Sequence, residues 1–88
     1  MLAIEHVDVL SLDVEGAELT VLKSFDWDTV TIDTIVVENN WGDFEVYNYL
    51  KTLGFYRTQR VHIDDFYRHG RTCPYGKCNE IKVEFLRR

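Results

Sequence analysis

The chain has 88 residues, of which 45% are hydrophobic and 14% aromatic, and this composition is that of one small globular unit rather than of a disordered chain. Its net charge of −5 argues against a general nucleic-acid binder, because such proteins present a basic face to phosphates. No apolar run reaches the roughly 18 residues of a membrane span, and the chain lacks the pattern of a signal peptide, so we expect no membrane segment in it.

The first predicted unit is a strand followed by a helix. Residues 7–12 are short, apolar and partly β-branched, which predicts a strand, and their nearly continuous apolar character is typical of a parallel strand buried on both faces. The spacing of the apolar residues then changes from that of a strand to that of a helix. Apolar side chains from Ala17 to Phe25 recur at helical spacing, so we predict a helix over residues 17–25.

The second unit repeats this pattern. Apolar residues within the segment 31–40 predict a buried strand at about 33–38, and it ends in an acid and two amides. A helix is predicted over residues 44–53, with Gly54 as its C-terminal stop. The order strand, helix, strand, helix predicts an α/β fold in which the two strands are parallel neighbours.

The C-terminal part differs, because it contains strand candidates without helices between them. Residues 55–61 and 81–86 alternate between apolar and polar side chains, and residues 64–68 form a shorter candidate. Strands connected this closely pair antiparallel. The predicted fold class is therefore α/β, with two parallel strand–helix units followed by an antiparallel strand pair.

Carboxylates and an amide follow both parallel strands. Asp13 ends the first strand, and Glu38 and Asn39 end the second. Ligands of open α/β sheets bind beyond the carboxyl ends of the strands, and adjacent strands lie about 4.8 Å apart. We therefore expect these side chains to converge at one edge. Two carboxylates so close repel, so that one takes up a proton or a cation lies between them. For Asp13 the alternative is a simple helix N-cap.

Three further residues shape the turn after Asp13. We expect Gly16 to relieve backbone strain where the strand turns into the helix. Glu18 falls in the first helical turn, where the helix dipole favours a negative charge. Glu15 is expected to border the same crevice as Asp13.

The cysteines and histidines leave several alternatives open. Cys73 and Cys78 enclose four residues, CPYGKC, and a turn-rich loop of this size brings its ends within disulfide reach. The alternatives are a zinc site, to which the spacing is a poor match, and two free thiols. A disulfide would imply an oxidising compartment. His6, His62 and His69 are scattered, and we expect each to be a surface residue.

Four segments, LSLDVEGAELTVLKSFDW, TIVVENN, LKTLGF and DDFYR, together resemble the C-terminal half of the FkbM-type methyltransferase domain. The hallmark of that family is the I/L-D-V/I-E-G-A/S-E segment followed by a "VE" strand. The resemblance covers roughly residues 6–68. It implies a Rossmann-like sheet, S-adenosylmethionine as cofactor, and methylation of a hydroxyl oxygen on a small molecule or glycan.

The sequence departs from this family in one respect. In such folds the cofactor is held mainly by a glycine-rich turn after the first strand and an acid after the second. Neither is found here, and the chain begins near the fourth strand of the usual seven. We therefore interpret residues 1–88 as a partial methyltransferase domain without the cofactor-binding half, which is a fragment, a truncated gene model or a degenerate domain. We expect weak or no S-adenosylmethionine binding by this chain alone.

The resemblance also implies roles for the acids. Asp13 or Glu38 would take the proton of the acceptor hydroxyl as general base. Alternatively Mg²⁺, held by Asp13, Glu38 and Asn39, would orient that hydroxyl and lower its pKa.

A second hypothesis is a non-catalytic domain. Star-type proteins of animals carry a related domain and act in trafficking in the secretory pathway, and the segment SFDWDTV is similar to theirs. Paired cysteines favour this alternative. The enzyme hypothesis is compatible with a cytoplasmic location, and a Golgi or secretory membrane location would follow from an upstream anchor.

Overall fold

A computed structural model describes residues 5–39 and 44–81. Four strands form one mixed sheet in the order β1–β2–β4–β3, and their bounds are Glu5–Leu12 (β1), Val30–Glu38 (β2), Phe55–Val61 (β3) and Asp64–His69 (β4). Two helices follow the first two strands, α1 (Glu18–Lys23) and α2 (Glu45–Thr52). Two short 3₁₀ turns, Gly70–Thr72 and Pro74–Gly76, follow β4. Within this described part, no helix is long and apolar enough to span a membrane.

The strand pairing agrees with the pattern predicted from the sequence. β1 and β2 are parallel neighbours, with Leu12 beside Val37. β4 is antiparallel to both β2 and β3, so the predicted antiparallel pairing is confirmed. The predicted strand at 81–86 lies outside the described residues except for Ile81, whose amide donates to the Arg57 carbonyl (3.0 Å).

The core lies between the sheet and the two helices. Strand side chains alternate, so that Ile35 and Val37 are buried while Val36 between them is half-buried. Leu22 of α1 and Leu50 of α2 pack into the same cluster. Full burial of each such side chain contributes roughly 1.5–3 kcal/mol, so this layer supplies much of the stability of a small domain.

Two details of the predicted elements are corrected. The expectation that the first strand is buried on both faces is wrong, because β1 lies at the edge of the described sheet and Val9 is 58% exposed. The first helix ends at Lys23 rather than at Phe25. Side chains satisfy its last carbonyls, since the Ser24 hydroxyl donates to Val21 (2.6 Å) and the Trp27 indole donates to Leu22 (3.1 Å).

His69 is half-buried and both of its ring nitrogens contact the backbone, so the expectation of a plain surface residue is corrected. Its Nε2 lies 3.0 Å from the Leu53 carbonyl, and its Nδ1 accepts the Arg71 amide proton (3.1 Å). Burial, together with the positive charge of Arg71, lowers the pKa of His69. The neutral ring therefore donates through Nε2 and connects β4 to the end of α2. Gly54, next to Leu53, makes room for it at a φ of +93°.

Cys73 and Cys78 form a disulfide, with 5.1 Å between their Cα atoms. The prediction that they lie within disulfide reach is confirmed. The alternatives of a zinc site and of two free thiols are wrong, because both sulfur atoms are used in the bond. The loop that the disulfide closes packs against Gly70, where an added Cβ would overlap the Gly76 carbonyl.

The Gly54→Ala variant should be destabilised by about 2–3 kcal/mol. A side chain in the left-handed region costs roughly 1–2 kcal/mol, and the hydrogen bond it disturbs contributes about 1 kcal/mol. The disturbed group is His69, whose Nε2 would lie 2.9 Å from the new Cβ. Gly16→Ala is the matched control, because its φ is +95° and nothing lies within 4 Å of the new Cβ. Urea denaturation measures the loss of unfolding free energy in both variants. Equal losses would show that His69 does not pack against Gly54.

Replacing both cysteines, as in Cys73→Ser/Cys78→Ser, should lower the free energy of unfolding by about 2 kcal/mol. The reason is the chain entropy that a short closed loop removes from the unfolded state. Denaturation with and without a phosphine reductant checks this. The reduced wild type should match the double variant, and the double variant should not respond to reductant. If the denaturation midpoint of the wild type is the same with and without reductant, the disulfide does not stabilise the fold.

Candidate functional site

The candidate site lies at the carboxyl edge of the parallel strand pair. Leu12 and Val37 form the last residue pair between β1 and β2, and Asp13 and Glu38 directly follow them along the chain. Asp13 is exposed, and its carboxylate makes no hydrogen bond or ion pair with any residue in 5–39 or 44–81. Glu38 is half-buried. The register therefore brings the two acids to neighbouring strand ends, while the bridging of their carboxylates by a proton or cation stays a prediction.

Asp13 is not the cap of the helix that follows. The N-cap of α1 is Ala17, and no side chain makes a capping hydrogen bond there. The N-cap alternative for Asp13 is therefore wrong, and its carboxylate remains exposed at the strand end.

Glu18 has a structural role in the turn between β1 and α1. It is only 7% exposed, and its carboxylate accepts the backbone amides of Val14 (3.2 Å) and Gly16 (3.1 Å). The turn needs this support because Glu15 and Gly16 both have positive φ values, +52° and +95°. The predicted need for Gly16 is thus confirmed. Glu15 is exposed, and its place in the crevice stays a prediction.

The same contacts bear on the cofactor. In open α/β sheets the turn after a strand often holds a ligand through its backbone amides. Here the amides of Val14 and Gly16 already bind the Glu18 carboxylate, and this turn contains a single glycine. The amides of Val14 and Gly16 are therefore already used within the chain, and weak or absent binding of S-adenosylmethionine stays a prediction.

Asn39 is held in place on both its backbone and its side chain. Its amide nitrogen Nδ2 donates to Asp65 (3.1 Å), and its backbone amide donates to Ile63 (2.7 Å). Arg60 donates to the backbone carbonyl of Asn39 (3.1 Å). Asn39, which directly follows β2, is therefore held by residues of β3, of β4 and of the hairpin between them.

The centre of this arrangement is Asp65, which the sequence analysis did not single out. Asp65 is fully buried, Arg60 donates to it at 2.7 Å, and Arg57 lies 3.9 Å from it. Burial raises the pKa of the neighbouring Tyr67, and the charge of Asp65 raises it further. An available sequence signal was the alternation in DDFYR, which puts Asp65 on the same face of β4 as the buried Tyr67.

A second group of polar side chains lies near the amino ends of the parallel strands. His6, Asp8 and Asp33 bring ligand-type atoms within 4.8 Å of one another, the one such group found among residues 5–39 and 44–81. His6 bonds Asp33 through Nε2 (2.9 Å), and Arg71 pairs with the same carboxylate (2.9 Å). These contacts form a network near the surface in which the Arg71 guanidinium already pairs with the Asp33 carboxylate.

Comparison with known proteins gives one match. The sequence profile of the Methyltransferase FkbM domain matches residues 2–66. No curated protein and no solved structure matches the chain. The match includes Asp13, Glu38 and Asn39 together with the buried Asp65, and it ends before the disulfide loop.

Glu18→Gln should lower the free energy of unfolding by roughly 1–2 kcal/mol. The two carboxylate oxygens each accept one amide, and a glutamine can replace only one of them, leaving a donor facing a donor. Glu15→Gln is the matched control, since Glu15 is exposed and the change should stay within about 0.5 kcal/mol. Chemical denaturation monitored by tryptophan fluorescence measures both. Equal effects would show that the Glu18 contacts do not hold the turn.

Proposed function

This chain belongs to the FkbM methyltransferase domain family, and on that premise we propose that it provides the edge where a hydroxyl is activated in an S-adenosylmethionine-dependent O-methyltransferase. The observation that carries the proposal is Asp13. It is an exposed carboxylate at the end of a parallel strand, it caps no helix, and it lies beside the strand end that carries Glu38. In a sheet of this class, that edge is where ligands bind.

The proposed chemistry is removal of a proton. When a hydroxyl oxygen forms a bond to the incoming methyl carbon, its proton must leave, and Asp13 accepts it as general base. Glu38 is the second candidate for this role, because it ends the neighbouring strand. The acceptor is a small molecule or a glycan that carries a hydroxyl group.

A divalent cation is an alternative to the base. The donor set of Asp13, Glu38 and Asn39 consists of two carboxylates and an amide, which suits the oxygen preference of Mg²⁺. Because Nδ2 of Asn39 is directed at Asp65, this amide would ligate through Oδ1. A bound cation would supply Lewis-acid polarisation of the acceptor hydroxyl.

The cofactor needs further residues. The turn after β1 does not offer its backbone amides to S-adenosylmethionine, because the Glu18 carboxylate binds those of Val14 and Gly16. We therefore propose that this chain is the acceptor side of a longer domain and that the contacts to the cofactor come from sequence outside these 88 residues.

The disulfide favours a second candidate function. A bond between Cys73 and Cys78 belongs to an oxidising compartment. This suits a location in the secretory pathway, and with it a non-catalytic, Star-like role in trafficking. Absence of cofactor binding and of methyl transfer in the chain extended by the upstream sequence of its gene would favour this candidate over the enzyme.

Asp13→Asn should lower turnover by roughly 10²–10⁴-fold, the range for losing acid–base help, while the free energy of unfolding stays within about 0.5 kcal/mol of wild type. Turnover is measured in the extended protein with labelled S-adenosylmethionine and a panel of hydroxylated acceptors. Glu5→Gln, an exposed acid at the amino end of β1, is the control and should leave turnover unchanged. Loss of activity on chelation, with recovery on adding Mg²⁺, would select the cation over the base. A stable Asp13→Asn variant with normal turnover would contradict both.

A further inference from the structure

A groove lies between the disulfide loop and the exposed sides of β3 and β4. Its volume is about 560 Å³, which is in the range of small-molecule sites. The two cysteines form part of its wall. Among the described residues, the rest of its wall consists of Thr58, Arg68, Pro74, Tyr75, Lys77 and Asn79. The charged members of this set are the cations Arg68 and Lys77. The groove is therefore positive although the chain as a whole is negative.

Tyr75 is the most unusual residue of this groove. It lies at the tip of the disulfide loop, is fully exposed, and has a φ of +60°. Bulky residues rarely adopt this backbone conformation, and such strain is a reason to look for a function. The loop that carries Tyr75 is held by the Cys73–Cys78 bond and by a hydrogen bond from the Gly76 amide to Cys73 (3.2 Å). The aromatic ring is thus presented to solvent from a covalently closed support.

We propose that this groove binds an anionic saccharide. The ring of Tyr75 offers an apolar face on which the C–H face of a sugar ring packs. Arg68 and Lys77 pair with a carboxylate or sulfate of the sugar through charge-assisted hydrogen bonds. Thr58 and Asn79 supply the neutral donors and acceptors that sugar hydroxyls need. A small inorganic anion would use the cations and leave the aromatic ring unused.

The groove is separate from the edge that carries Asp13 and Glu38. In the register of β2 and β4, Arg68 lies opposite Thr34, whereas Asp64, at the other end of β4, lies opposite Glu38. Four residues of a strand span about 13 Å. All of the named groove residues except Thr58 also follow the family match, which ends at residue 66. The inference therefore goes beyond the proposed methyl transfer, and binding is measured without cofactor, so one can fail while the other holds.

The experiment is a titration of the ¹⁵N-labelled chain, followed by amide chemical shifts. The probes are a heparin-derived hexasaccharide, oligogalacturonate, a neutral cello-oligosaccharide and sodium sulfate. Shifts should concentrate at Thr58, Arg68 and residues 75–79, and the anionic saccharides should bind at least about tenfold more tightly than the neutral one. Comparable binding of sulfate alone, or shifts elsewhere on the chain, would overturn the proposal. If only one of the two acidic saccharides binds, the proposal holds, and the bound probe identifies sulfate or carboxylate as the recognised group.

Two variants separate the ring from the charge. Tyr75→Asn removes the aromatic face while keeping a residue that tolerates positive φ, and it should weaken saccharide binding by about five- to tenfold. Lys77→Gln should weaken binding of the acidic saccharides about tenfold and leave the neutral one unchanged. Lys23→Gln, an exposed lysine on α1, is the control for general charge. Unchanged binding in Tyr75→Asn, or an equal loss in Lys23→Gln, would refute the site.

Discussion

The buried carboxylate of Asp65 is the constraint on which the carboxyl edge of the sheet depends. A charge removed from water costs several kcal/mol unless it is paired and hydrogen-bonded, so its partners are held in narrow geometry. Here Arg60 and Asn39 both donate to it, and Arg57 lies nearby. Asn39 directly follows β2, while the arginines belong to β3. One carboxylate of β4 therefore connects this strand both to β3 and to the residue after β2.

This constraint extends to the candidate site through β2. That strand is antiparallel to β4 on one side and parallel to β1 on the other. Contacts that hold the carboxyl end of β2 therefore also hold Glu38 at the strand end next to Asp13. The turn after Asp13 is held independently by Glu18. The acids of this region thus have different roles. Asp65 and Glu18 bind protein donors and position the backbone, whereas Asp13 is exposed at the strand end.

The two ends of the molecule differ in chemistry. The carboxyl edge of the parallel pair carries Asp13 and Glu38, whereas the groove under the disulfide loop carries Arg68 and Lys77. A domain of this size buries a limited share of its surface, so a covalent bond that holds an exposed loop is a substantial addition to its stability. The same bond keeps Tyr75 in a strained, exposed position.

Apolar periodicity is a local signal, and it predicted the four described strands and both helices, apart from the exact end of the first helix. The parallel and antiparallel pairing followed from whether a helix or a short turn connects two strands, and this pairing places Asp13 and Glu38 at neighbouring strand ends. The burial of Asp65 and the contact of His69 with the Leu53 carbonyl depend on tertiary structure. The Glu18 contacts are local, and they depend on the backbone conformation of the turn. Asp65 and Asn39 are 26 residues apart, and His69 and Leu53 are 16 apart. The local sequence does not determine whether a polar side chain is solvated or bonded to a residue far along the chain, because that depends on which strands become neighbours. The cysteines follow the same rule: their spacing permitted three outcomes, and the folded loop selected the disulfide.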